Sequence, residues 1–137
     1  MAETDDRDRR PTVLVVDDDE LMRRLLSVTL RGGPFRVLAA STAVEGLRLA
    51  REHRPALIFL DLRLGSDNGL RVCRMLRAEE GTRGSTIVIL SAQDDPITRV
   101  RARRAGADGF FAKPFSPLAI WQTVDQVVEA GAGPWAS

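Results

Sequence analysis

The chain has 137 residues, 44% of them hydrophobic and 28% charged, with a formal net charge of +1. Such a length and composition suit one ordinary globular domain and exclude a disordered tail, a collagen-like chain and a coiled-coil rod. The near-balance of charge lacks the strongly basic footprint of a nucleic-acid-binding domain, and a single cysteine, Cys73, excludes an internal disulfide.

Residues 1–11 are polar, of mixed charge and closed by Pro11, and read as a flexible tail without the apolar core of a signal peptide. Thr12 to Val16 is a continuous apolar run that suits a strand buried on both faces. It stops at Asp17-Asp18-Asp19-Glu20. Leu21, Met22, Leu25, Leu26, Val28 and Leu30 then repeat at helical spacing, with Asp19 as N-cap or first-turn acid. Residues 35–39 form a second strand, and Ser41-Thr42 opens a second helix that ends before Pro55. His53 stands at its C-terminus, where a cation suits the helix dipole.

Residues 56–60 form a third buried strand, and it too ends in an acid, Asp61. A loop rich in Gly, Ser, Asp and Asn runs to Gly69. A third helix carries Leu70, Val72, Cys73 and Leu76, with Cys73 as a small buried apolar residue. Thr86 to Leu90 is the fourth strand, stopping at Ser91-Ala92. Asp94-Asp95-Pro96 begins a fourth helix bearing Arg99, Arg101, Arg103 and Arg104. Gly109 to Ala112 is a short fifth strand, followed by Lys113, the only lysine beside nineteen arginines. A last helix from Ser116-Pro117 carries Leu118, Trp121, Val124, Val127 and Val128 on one stripe. Residues 131–137 read as a second flexible tail.

The alternation of apolar strands and helices predicts an α/β, flavodoxin-like (βα)5 fold over residues 12–130. Its parallel sheet is doubly wound, in the order 2-1-3-4-5. No apolar run reaches the ~18 residues of a membrane span, so the chain reads as a soluble cytoplasmic domain.

Ligands of open parallel sheets bind beyond the carboxyl ends of the strands. Asp17 and Asp18 follow strand one, Asp61 ends strand three, Ser91 ends strand four and Lys113 ends strand five. With strands one and three adjacent, the three carboxylates converge. Two like charges ~4 Å apart repel by about 4 kcal/mol at an effective dielectric near 20. Proton uptake or a hard cation could relieve this. A carboxylate set with waters and a phosphoryl oxygen is how Mg²⁺ is usually held. A hydroxyl at Ser91 and an ammonium at Lys113 could then take the other phosphoryl oxygens, giving an aspartyl-phosphate site. Taken singly, the acids equally suit helix caps and solvated loops.

In four segments the chain resembles the receiver domain of bacterial two-component response regulators. They are residues 13–18, 57–61, 88–92 and 105–115, in order and each at a strand end. The resemblance covers about residues 12–130. It implies that Asp61 is the phosphoacceptor and that Asp17, Asp18, Asp61 and the backbone carbonyl of Arg63 hold Mg²⁺. It further implies that Ser91 is the switch hydroxyl, that Lys113 contacts the phosphoryl group, and that the Lys113-Pro114 bond is cis. Phe110 takes the place of the switch aromatic, although its ring also suits ordinary core packing. The implied partners are a histidine kinase or histidine phosphotransfer protein, and a downstream protein at the face of the fourth helix, fifth strand and fifth helix. There the arginine run would contribute, a run that otherwise reads as a solvated helix face. Neither nucleic acid nor membrane is an expected direct partner, and the expected state is a monomer or phosphorylation-dependent dimer. The expected role is a switch that assists its own phosphorylation and dephosphorylation, not a turnover enzyme.

Departures from the family pattern carry expectations too. Gly65 stands where a Pro is common, which predicts a looser loop, and Phe110 lacks a tyrosine hydroxyl. Arg63 and Gln93 occupy positions that influence water access to the phosphoryl group. A phosphorylation-independent binding module is the alternative. A dehalogenase-type phosphatase would want an acid where Arg63 stands, and a flavin carrier would want a phosphate loop in place of Asp17-Asp18-Asp19. A DNA-binding regulator would need an effector domain, for which this reading leaves no residues.

Overall fold

The computed structural model describes residues 10–130; the tails expected at 1–11 and 131–137 otherwise lie outside the described residues. In chain order the elements are β1 (Thr12–Val16), α1 (Glu20–Thr29), β2 (Arg36–Ala40), α2 (Ala43–His53), β3 (Leu57–Asp61), β4 (Arg63–Leu64) and β5 (Asp67–Asn68). They continue with α3 (Gly69–Ala78), β6 (Thr86–Ser91), α4 (Pro96–Arg104), β7 (Gly109–Ala112) and α5 (Pro117–Ala130). Five strands make one parallel sheet, ordered β2-β1-β3-β6-β7. With the two shortest strands set aside, this is the 2-1-3-4-5 order of the flavodoxin-like fold.

Side chains alternate across a strand, and here the alternation divides the core in two. Leu14, Val16, Ile58, Leu60, Ile87 and Ile89 face α2, α3 and α4. Val13, Val15, Leu57, Phe59, Val88 and Leu90 face Leu26 of α1 and Ile120, Val124 and Val127 of α5. Both faces are therefore dry, and a large side chain such as Phe59 contributes about 1.5–3 kcal/mol by burial. The helices begin where the sequence places caps. Asp19, Thr42, Asn68 and Asp95 each accept a backbone N–H of the first turn.

At Pro11, where the expected tail ends, the carbonyl accepts a hydrogen bond from the Arg36 N–H at 2.8 Å. Some expectations are corrected. The loop after β3 contains a two-residue antiparallel ribbon, with Arg63 opposite Asn68 and Leu64 opposite Asp67. The helical spacing over α1 overstates its buried face. Leu26 and Leu30 are buried, but Leu21, Leu25 and Val28 are exposed, because only one narrow stripe of α1 meets the sheet. On α5, Leu118 is also exposed, and Ile120, outside the expected stripe, is buried in its stead. Trp121 is half-buried against Phe35, with ring centroids 5.8 Å apart. Cys73 is fully buried, and burial pushes its thiol up to about 11. His53 closes α2, its Nε2 3.7 Å from Glu52. Among the described residues no helix is long and apolar enough to cross a membrane.

Candidate functional site

Register assembles the site. Val16 pairs with Leu60, so the next residues, Asp17 and Asp61, stand side by side. Asp61 pairs with Leu90, which puts Ser91 one step further along β6. Ser91 in turn pairs with Ala112, which puts Lys113 one step beyond β7. Four strand ends thus form a staircase of polar groups above an apolar sheet. The residues sit on strand ends because parallel strands are apolar until they leave the layer.

The Lys113 ammonium closes the staircase. Its Nζ donates to Asp17 Oδ2 at 3.0 Å and to Asp61 Oδ2 at 3.2 Å. Asp17 is wholly buried and Asp61 nearly so. Asp17 Oδ1 also accepts the Asp19 N–H at 2.9 Å, and Arg23 Nη1 donates to the Asp17 carbonyl at 2.7 Å. Asp61 Oδ1 accepts the Arg63 N–H at 3.2 Å, which holds the Arg63 backbone beside Asp61 at the cleft. Asp18 is exposed, and its Oδ2 accepts the Gly65 N–H at 2.9 Å.

One ammonium does not balance two buried carboxylates. Burial, reinforced by the hydrogen bond and charge of Asp17, raises the Asp61 carboxyl from 3.8 to about 6, against the opposing pull of Lys113. Burial works against the Lys113 charge, but the Asp17 hydrogen bond and the fields of Asp61 and Asp17 outweigh it and hold its pKa above the ordinary value. Ligand atoms of Asp17, Asp18 and Asp61 all lie within 4.8 Å of one another. Three clustered carboxylates, one of them pushed toward protonation, fit the oxygen-donor preference of a hard divalent cation.

Beside this cluster lies a cleft of about 550 Å³, lined by Asp18, Asp61, Arg63, Ser91, Gln93 and Lys113 among others. The Ser91 hydroxyl borders the cleft but faces its own loop. Its Oγ donates to the Gln93 carbonyl and accepts the Gln93 N–H, both at 2.9 Å. The Lys113–Pro114 peptide is cis. Phe110 is buried in the α2–α4 side of the core, and the Arg99 guanidinium lies 4.6 Å from its ring centroid. A larger groove of about 620 Å³ lies away from the acids, between β7 and α5.

Two glycines support the site in ways the sequence does not show. A Cβ at Gly69 would meet the Asp61 carbonyl oxygen at 2.1 Å, so only glycine lets the start of α3 approach the acidic strand end. Gly65 sits at φ +61°, and its N–H holds Asp18, a bond no proline could donate. The residue expected to loosen the loop is therefore the one that ties it to the cluster.

The sequence profile of the response regulator receiver domain matches residues 13–125. The chain belongs to the response regulator receiver domain family. It is 41% identical over 108 residues to the DNA-binding response regulator MtrA of Mycobacterium tuberculosis, covering 79% of this chain and 46% of that protein. The chain spans about half the length of the curated relatives it matches. Among solved structures it superposes on chemotaxis response regulator CheY4 of Vibrio cholerae with a TM-score of 0.80 and 26% identity. That match covers 86% of this chain and 98% of the other. A response regulator of Burkholderia pseudomallei, solved with a phosphorylated aspartic acid and a calcium ion, matches at TM-score 0.74 and 28% identity, over 88% of this chain and 68% of the other.

Proposed function

We propose that the cleft takes up a phosphoryl group on Asp61 from a histidine kinase or histidine phosphotransfer protein. The carrying observation is the Lys113 ammonium, bridging Asp17 and Asp61 at the mouth of a cleft large enough for a phosphoryl group. The phosphorylated aspartate of the Burkholderia relative supports the same chemistry. A carboxylate oxygen of Asp61 attacks phosphorus, the P–N bond to the donor imidazole breaks and a P–O bond forms. Bound Mg²⁺, held by Asp17, Asp18, Asp61 and the Arg63 carbonyl, would neutralise charge on the transferring group. Lys113 is placed to follow the charge from the carboxylate to a phosphoryl oxygen. Ser91, which lines the same cleft, would reach another of these oxygens on leaving Gln93.

The chain acts here as a switch that assists its own phosphorylation and dephosphorylation, not as a turnover enzyme. Its readout is the face formed by α4, β7 and α5. There the exposed Ile97 and Val100 lie on the helix that carries Arg99 over the Phe110 ring. New charge at Asp61 that draws in Ser91 would disturb this packing and bias the face toward a downstream protein. A cytoplasmic location and a monomer, or a dimer formed on phosphorylation, follow from the same reading.

The test is intact-mass spectrometry after incubation with acetyl phosphate and Mg²⁺, with Asp61→Asn alongside. One added phosphoryl mass in the parent alone is the expected result. No gain from acetyl phosphate or from a panel of phosphorylated kinases would leave a phosphorylation-independent binding module.

A further inference from the structure

The four arginines of α4 do not share one surface. Arg99 and Arg103 line a groove along α4 with Pro96 and Val100, which Arg104 also borders. Arg101, together with Arg104 between the two grooves, meets Arg74 of α3 across a second groove of about 390 Å³, whose wall is completed by Asn68, Leu70 and Ala105. Arg74, Arg101 and Arg104 are exposed, and none of their guanidinium groups makes a hydrogen bond or ion pair among the described residues. The nearby acids are engaged elsewhere: Asp67 with Arg71 at 3.3 Å, and Asp108 with Arg77. Asn68 Oδ1 is committed to the Leu70 N–H at 2.8 Å, leaving its amide donors to the groove. Three unneutralised guanidinium forks and an amide around one concavity form a surplus of donors and positive charge.

The geometry points to this α3–α4 groove as a binding site for a compact oligophosphate, an anion with two or three linked phosphates. Guanidinium forks match phosphate oxygens bidentately. Three cations match the charge of such an anion, and the volume falls within the range of small-ligand pockets, about 300–1,000 Å³. Larger partners fit less well. Leu70 and Ala105 are buried, so the groove offers no apolar centre for a protein interface. No aromatic side chain lines it, so single-stranded nucleic acid would find no stacking platform. A smaller cleft of about 220 Å³ shares Asn68, Leu70 and Arg101 with this groove, and Leu62, Arg63 and Gln93 with the phosphoacceptor cleft. The two sites are thus neighbours with separate residues at their centres.

The probe is inorganic tripolyphosphate, titrated into the full chain without divalent metal and followed by calorimetry and amide NMR shifts. ATP and a short oligoglutamate peptide form parallel arms. Saturable binding at a single site is expected, with shifts centred on residues 68–74 and 101–105. Arg101→Gln should weaken it about tenfold, and Arg74→Gln with Arg104→Gln should abolish it. Asp61→Asn should leave it unchanged, which separates this site from the phosphoacceptor. ATP binding as tightly through the same residues would identify a nucleotide triphosphate as the source. Tripolyphosphate binding alone would identify an inorganic one. Unsaturable binding, binding indifferent to the arginine variants, or tighter binding of oligoglutamate would overturn the proposal.

Discussion

The two ends of the sheet each hold a cation and carboxylate that the chain brings together from far apart, yet they do opposite things. At the N-terminal end, Arg77 of α3 donates to the Gly106 carbonyl at 2.8 Å and the Arg83 carbonyl at 2.7 Å. It also reaches the Ser85 carbonyl and pairs with Asp108. Asp108 Oδ2 in turn accepts the Ile87 N–H at 2.9 Å. One charge meets one charge, and the remaining donors meet neutral carbonyls. At the C-terminal end, one ammonium faces two buried carboxylates beside an open cleft. A closed and neutral set is a clasp. An open set with surplus charge is poised to accept something that supplies what is missing.

The largest effect tests the clasp. Arg77→Ala removes donors from three carbonyls and the partner of a partly exposed carboxylate, and should lower stability by about 3 kcal/mol in urea unfolding, equally with and without Mg²⁺. A loss that Mg²⁺ restores would erase the distinction between the two ends. Gly69→Ala comes next. The new Cβ must push against the Asp61 carbonyl, so a loss of about 2 kcal/mol is expected, together with weaker Mg²⁺ binding by fluorescence titration.

The acidic end should answer to pH in a direction of its own. Its Asp61 carboxyl is raised from 3.8 to about 6, so the fold favours the protonated form. The penalty for ionisation is absent below 3.8, grows as pH rises to about 6 and is complete above it. Asp61→Asn should therefore stabilise the metal-free chain at pH 7 by roughly 2 kcal/mol and flatten its acid-side stability slope. Added Mg²⁺ should bring the parent toward the variant. Equal stabilities of parent and variant at pH 7 would mean that Lys113 already balances the site. The smallest thermodynamic effect belongs to Arg63→Ala, which should shift stability by under about 0.5 kcal/mol. Because Arg63 and Gln93 border the cleft, that variant should nevertheless change the aspartyl-phosphate lifetime in a dephosphorylation time course. A lifetime matching the parent's would remove Arg63 from control of water access.

Much of this was legible in the residues alone. Buried parallel strands must be apolar on both faces, so the first polar residue after each run marks the strand end, and Asp17, Asp61, Ser91 and Lys113 all declare themselves that way. Caps are equally local, which is why Asp19 is readable as an N-cap from the sequence alone. Helical faces were less legible. Leu21, Leu25 and Leu118 keep helical spacing yet point to solvent, because spacing shows that residues share a face and not how wide the opposing surface is.

What sequence determined, then, was the order of elements and the polar groups at the strand ends, since both depend on short-range alternation and on where apolar character stops. Other features needed the tertiary structure. Lys113 reaches Asp17 across 96 positions of chain, Ser91 turns its hydroxyl to Gln93 instead of the cleft, and Gly69 is required by a carbonyl in another element. The arginine run of α4 borders two grooves that share Arg104, one of them completed by Arg74 from α3. Each of these depends on distances between segments that only packing sets, and on which charges are left without a partner once packing is complete.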